Sequence, residues 1–245
     1  MKKFLLSVIG MILMTGITFA QQSNKSDSSC SKLYGKSYWH LSAGLNPMTL
    51  KTTYIGEDIA SESVSTNMTG VSLGFTHGIR MMKTQPFYLE VGAKLLYAFR
   101  NEAECEIENI GKTWEMKENL FALNVPVVVT WQFEAIPKVC IAPYLGLNMR
   151  CNILGQSKTI DYKYDYHYDR KEYYLYKTDT QKTNWFKKYE GNCNQFNVGL
   201  TFGANFTFNR FILGLGYTKD VTKFMREPGV ESNIEYFTIS GGLRF

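Results

Sequence analysis

Residues 121–133 read FALNVPVVVTWQF, and this stretch decides the fold. Its odd positions, Phe121, Leu123, Val125, Val127, Val129, Trp131 and Phe133, are all apolar, while Asn124, Thr130 and Gln132 stand among the even ones. An apolar side chain at every second position is the signature of a strand with two unlike faces. Residues 87–100, FYLEVGAKLLYAFR, repeat the pattern, with Phe87, Leu89, Val91, Ala93, Leu95, Tyr97 and Phe99 against Glu90, Lys94 and Arg100. Residues 139–150 (VCIAPYLGLNMR) and 196–208 (FNVGLTFGANFTF) do the same.

The runs are long. Strands of soluble domains are usually about 5–6 residues, whereas a strand crossing a bilayer at a tilt needs about 9–11. Eight such runs are expected, at roughly 36–46, 67–80, 86–101, 119–134, 138–151, 194–208, 210–220 and 233–245. The connections at 81–85, 135–137 and 209 are short; those at 47–66, 102–118, 152–193 and 221–232 are long. Short turns on one side and long loops on the other are the layout of an outer-membrane barrel. The sequence therefore predicts an all-β, eight-stranded antiparallel up-and-down transmembrane β-barrel with short periplasmic turns and long outer loops. Its lipid face is expected to include Leu89, Val91, Val127, Val129, Leu145, Leu200 and Leu213. Aromatic residues gather at both ends of the runs: Phe87, Trp131, Phe133, Phe208, Phe211 and Phe245 by the short turns, Tyr97, Phe99, Phe121, Phe196, Tyr217 and Phe237 by the long loops. Two girdles are expected of a barrel wall.

The N-terminus supports export. Lys2 and Lys3 precede an apolar run from Phe4 to Phe19, and Thr18-Phe19-Ala20 offers a small-residue cleavage site. This is a signal peptide over residues 1–20, too short to be a membrane anchor. Residues 21–35 are polar and serine-rich and read as a disordered lead-in, leaving residues 36–245 for the barrel. The formal charge of +5, two units of which leave with Lys2 and Lys3, gives no footprint for nucleic-acid binding.

Three stretches carry a family resemblance: LNVPVVVTWQF with KVCIAPYLGLNMR (123–133 and 138–150), NVGLTFGANFTFNRFILGLGYT (197–218), and EYFTISGGLRF (235–245). With Pro126, Pro143, Tyr144, Gly146 and the terminal Phe245, the chain resembles the PorT-like outer-membrane β-barrel family of Gram-negative bacteria, small barrels of the OmpX and OmpA kind. The resemblance implies an outer-membrane location and surrounding outer-membrane lipid. The family's named member assists secretion across the outer membrane; no residue here lets that role be carried over. A terminal Phe on an alternating strand also looks like the signal read by the barrel-assembly machinery, which assigns Phe245 that role.

No cofactor and no metal are expected. The chain has no phosphate loop, dinucleotide fingerprint or zinc spacing. An enzyme acting on lipid A would need a His beside a Ser or an acid, and His40, His77 and His167 have no evident Ser partner. A non-enzymatic barrel is the expectation. By strand phase, Arg80, Glu90, Lys94, Arg100, Arg150, Asp220 and Arg244 point inward. An eight-stranded barrel is only wide enough for side chains to fill it, so these form either a salt-bridged polar plug or a narrow ion path with Lys94 near its middle. Cys151 and Cys193 flank the longest loop and are the disulfide candidates, although their strand phases place them on opposite faces.

Within that loop, residues 161–169 read DYKYDYHYD, and Glu172 to Lys177 resemble a returning strand. Strands five and six are expected to continue outward as a twisted hairpin. Tyr162, Tyr164, Tyr166, Tyr168, Tyr173, Tyr174 and Trp185 would either stiffen it through cross-strand aromatic pairs or bind an extracellular glycan or protein. Three functions stay open: a barrel displaying its loops for structural, adhesive or secretion-accessory binding; a narrow channel or lipid-modifying enzyme; and a soluble periplasmic barrel with a small ligand.

Overall fold

The computed structural model describes residues 37–55, 61–82, 85–104, 113–136, 139–167, 170, 172–187 and 192–245. The expected signal peptide, the lead-in and Tyr168 lie outside them. Ten antiparallel strands form one sheet: β1 (Ser37–Tyr54), β2 (Glu62–Arg80), β3 (Phe87–Glu104), β4 (Trp114–Trp131), β5 (Phe133–Ile136), β6 (Val139–His167), β7 (Glu172–Asn184), β8 (Phe196–Phe208), β9 (Phe211–Asp220) and β10 (Val230–Arg244).

The count differs from the eight expected, and the difference has two local causes. β5 continues β4 past a break at Gln132, pairing only with the start of β6. β7 pairs with β6 alone, outside the wall. The other eight pair in a ring: β1 with β2, β2 with β3, β3 with β4, β4 with β6, β6 with β8, β8 with β9, β9 with β10, and β10 back with β1. The closing seam runs from His40 opposite Arg244 to Tyr54 opposite Val230. Phe245 extends it, since its N–H donates to Trp39 O at 2.9 Å and Trp39 N–H donates to Phe245 O at 3.1 Å.

The strands outrun the apolar alternation at the long-loop end. β1 reaches Tyr54 and β2 begins at Glu62, through residues such as Thr49, Thr52, Ser63 and Thr66 that are polar on both faces. Backbone pairing continues there without a lipid-like face to announce it. β6 is the extreme case, at 29 residues. A bulge at Ile153, between the pairs Ala122–Asn152 and Phe121–Leu154, lets it leave the wall and carry β7 outward. Such an extra residue adds twist and re-aims the strand.

The apolar positions face out as expected. Val91, Val129, Leu145, Leu200 and Leu213 are exposed, and Leu145 reaches 63%. Aromatic contacts mark both ends of this belt. At the short-turn end Trp39 stacks on Phe75 and His77 (4.6 and 3.9 Å), and Phe87 on Trp131 (6.0 Å). At the long-loop end Tyr217 meets Phe202 and Phe237 (5.5 and 4.9 Å).

Candidate functional site

The interior divides into three levels. At the short-turn end, Tyr38, Tyr88 and Cys140 are buried together. The Tyr38 hydroxyl donates to Glu90 and accepts from Gln132 Nε2 at 2.6 Å. Gln132 Oε1 accepts from Arg244 Nη2 at 3.3 Å, and the Arg244 guanidinium lies 3.7 Å from the Tyr38 ring centroid. Gly78 makes this possible, because a Cβ there would sit inside the Tyr38 ring. The inward placing of Arg80 is corrected: it turns to the rim and donates to Gln85 O at 3.4 Å, while Glu90 belongs to Tyr38. A tyrosine ring spans the lumen where a flexible arginine would have to fold back from the edge.

The middle level is a polar cavity of about 60 Å³, lined by Ser, Thr and Asn side chains with His40, Glu90, Lys94 and Tyr144. Lys94 is therefore inward, as its phase required. Its stem fills the space beside Gly74, where a Cβ would come within 2.5 Å of Lys94 Cγ. Higher up, Arg150 and Asp220 form a fully buried ion pair. Arg150 Nε also donates to Asn152 Oδ1 at 2.9 Å, and Asn152 Nδ2 donates to Asn197 Oδ1 at 2.8 Å. Arg100 joins neither group. It pairs with Glu102 and Glu118 nearer the long-loop end. The seven charges expected inward thus fall into separate groups, with Arg80 at the rim, instead of one network.

The third level is apolar, and the sequence reading missed it. Trp185 and Phe224, from two of the long connections, turn into the barrel mouth and pack with Met48, Met68, Leu96, Ala98, Leu120, Ala122 and Ile234. Trp185 and Phe224 meet edge to face at 6.1 Å. Backbone bonds hold them in place: Trp185 N–H donates to Gly155 O (2.9 Å), Cys193 N–H to Trp185 O (2.8 Å), and Asn194 N–H to Phe224 O (2.6 Å). Trp185 was expected on the exposed recognition face; at 7% exposure it is instead part of the cap. The signal was present in the sequence. At LLYAF (95–99) and LFAL (120–123) both faces of the strand are apolar, so the inner face needed an apolar partner from a loop.

The cysteines are also corrected. Cys151 and Cys193 do not form a disulfide: Cys151 is exposed on the outer face, and Cys193 is buried in the cap, bridged to Met225. Burial pushes the Cys193 thiol up to about 12. Cys140 is disulfide-bonded to a partner outside the described residues.

The β6–β7 hairpin forms as expected. Tyr162, Tyr164 and Tyr166 alternate along β6, and Tyr166 contacts Tyr173 at 4.9 Å. A bulge at Tyr176, between the pairs Lys163–Lys177 and Tyr164–Leu175, places Tyr174 opposite Asp165, on the face away from Tyr173. The tyrosines therefore occupy two faces. Farther down the ribbon Asp179 accepts from Lys163 and Lys177 (2.9 and 3.1 Å). These bonds hold the Asp179 carboxyl below its ordinary range and raise the Lys163 ammonium. His40 is buried in the lumen beside Tyr38 (4.9 Å), His77 stacks on Trp39 on the outer face of the neighbouring strand, and His167 lies in the hairpin, 6.3 Å from Tyr174. No group of His, Cys, Asp and Glu suited to a metal ion occurs among the described residues.

No family model and no curated protein sequence matches the chain, so the PorT-like resemblance rests on its motifs. Solved structures do resemble it. The attachment invasion locus protein Ail of Yersinia pestis, in complex with the heparin analogue sucrose octasulfate, aligns at 11% identity and TM-score 0.44, over 86% of this chain and 100% of that one. The outer-membrane protease OmpT of Escherichia coli aligns at 10% identity and TM-score 0.41, over 86% and 97%. Neisserial surface protein A aligns at 14% identity and TM-score 0.38, over 84% and 95%. At these identities no residue role is carried over.

Proposed function

We propose that this chain is an outer-membrane β-barrel with a sealed lumen that acts at its surface. It displays the β6–β7 hairpin outside the cell for non-enzymatic binding of a glycan or protein. The observation that carries this reading is the double closure of the lumen. Tyr38, Gln132 and Arg244 fill one end, Trp185 and Phe224 cap the other, and the cavity between them has room for only a few water molecules. Side chains lining such a cavity meet no substrate, whereas Tyr173 and Tyr174 on the hairpin are exposed.

The outer wall supports the location. From Phe121 to Trp131 every outward residue of β4 is apolar. That is about 34 Å of strand, or about 26 Å of height at a tilt near 40°, the apolar band of an outer-membrane barrel. Outer-membrane lipid would cover it, and the barrel-assembly machinery would insert it. With the start of β1 and the end of β10 at the short-turn end, the hairpin projects on the opposite side.

Planar-bilayer recording tests the sealed lumen. The purified protein should give no steps of conductance, and deletion of its gene should leave the mass spectrum of lipid A unchanged. Regular single-channel steps would establish a channel instead, and a lipid A mass shift a lipid-modifying enzyme.

A further inference from the structure

We propose that an outward-facing row of lysines at the foot of the hairpin binds phosphate groups on the headgroups of the lipid beside the barrel. The inference rests on the reading that the long-loop end lies in the outer leaflet. Lys117 on β4 stands directly opposite Lys158 on β6, and Lys158 directly opposite Lys182 on β7. Neighbouring strands are about 4.8 Å apart, and like charges directly opposite one another are destabilising. A three-strand row of ammonium groups is therefore a costly arrangement without a counter-charge.

The described residues supply little of one. The row lines a concavity of about 570 Å³ together with Lys187 and several amide and hydroxyl side chains, and no carboxylate is among its described lining residues. Lys117 reaches Glu115 at 3.0 Å. Lys158 and Lys182 make no ion pair among the described residues. Other lysines of this end are matched: Lys51 with Glu235 at 2.5 Å, Lys163 and Lys177 with Asp179, Lys223 with Glu231 at 3.6 Å. Lys158 and Lys182 differ in this from Lys51, Lys163, Lys177 and Lys223.

Position selects the anion. Lys117 lies four residues beyond the outward Phe121 on β4, and Lys158 four beyond the outward Leu154 on β6. Four residues are about 13 Å of strand, or about 10 Å of height at a barrel tilt. That is headgroup level, just above the apolar band. The row faces away from the lumen, so its neighbour is a lipid headgroup. Lysine ammoniums bind phosphate as point charges, and the surrounding Gln156 and Asn119 amides add donors.

The test uses the full-length barrel in detergent, with bisphosphorylated lipid A, the same lipid after phosphatase treatment, and heparin fragments as a soluble polyanion. Wild-type protein should bind the phosphorylated lipid about thirtyfold more tightly than the dephosphorylated form, the scale expected for two lysines at an anionic surface. The preference should vanish in K158Q/K182Q and persist in K158R/K182R, with all three proteins folded by heat-modifiable migration. A wild-type barrel with no phosphate preference would overturn the proposal, as would a K158Q/K182Q variant that keeps it. Tighter binding of heparin than of lipid A would overturn the lipid assignment in favour of a soluble polyanion. Because binding in detergent is blind to orientation, failure here leaves the display reading intact; that reading is tested on whole cells.

Discussion

Replacing Arg150 by Met removes the guanidinium from a pair in which both side chains are fully buried. Arg150 on β6 and Asp220 on β9 reach each other across β8, where Asn197 pairs with Arg150 and Gly199 with Asp220. The substitution takes away the charge-assisted bond to Asp220 and the 2.9 Å bond to Asn152 Oδ1, and it strands a carboxylate in the lumen. Breaking a buried pair from one side costs about 3–5 kcal/mol. Arg150 Nη1 and Asp220 Oδ1 already lack a protein partner, so the native pair is incompletely satisfied and the lower figure, about 3 kcal/mol, is expected. Urea unfolding from lipid vesicles, followed by tryptophan fluorescence and by heat-modifiable migration, measures the loss. Adding Asp220→Asn to Arg150→Met should recover more than half of it, because the stranded charge is gone. A loss below about 1 kcal/mol, the value of an exposed pair, would refute the reasoning, as would a double variant no more stable than the single one.

Val127→Arg, in the middle of the outward face of β4, should cost about 2–4 kcal/mol in the same assay. Asn124→Arg, facing the lumen, should cost less, and equal losses would reject the assignment of the two faces. Deleting Phe245 removes two backbone bonds to Trp39 at the closing seam and should lower the amount of inserted barrel in membrane fractions without reducing export; unchanged insertion would count against its role as an assembly signal. The Asp179 carboxyl is held low, so its bonds to Lys163 and Lys177 persist above the ordinary carboxylate range near pH 4 and are lost as pH falls through the lowered folded value. Lys163 is raised, so its contribution is complete below about pH 10.4 and is lost only as pH rises through the raised folded value. NMR titration of the hairpin should show both directions, and an Asp179 titrating at or above the unperturbed value would contradict the contact.

The barrel wall was legible because lipid or solvent on one side and a filled lumen on the other force a period of two, as residues 121–131 show without interruption. The outward extensions were not legible. Thr49, Thr52 and Ser63 are polar on both faces, so pairing there depends on a partner strand that the alternation does not reveal. Bulges at Ile153 and Tyr176 each shift phase by one residue, so alternation alone does not fix which side chains of the hairpin stand opposite one another. Trp185 was assigned with the tyrosines of its own loop, although its partners Leu96, Leu120 and Ile234 come from three other strands. An aromatic pair such as Trp185-Phe186 in an otherwise polar connection is better read as side chains seeking an apolar surface elsewhere. Within the candidate site, inward charges could be placed by phase, but their pairing could not. Glu90 is claimed by Tyr38 because of the open space at Gly78, a feature of packing and not of spacing.

The central claim is that the β6–β7 hairpin stands outside the cell on a sealed outer-membrane barrel. Protease added to intact cells tests it most directly. Cleavage within residues 156–184 should occur in whole cells and leave the membrane-embedded wall protected. Resistance in whole cells, with cleavage at those residues only after the outer membrane is opened, would place the hairpin in the periplasm and contradict the account.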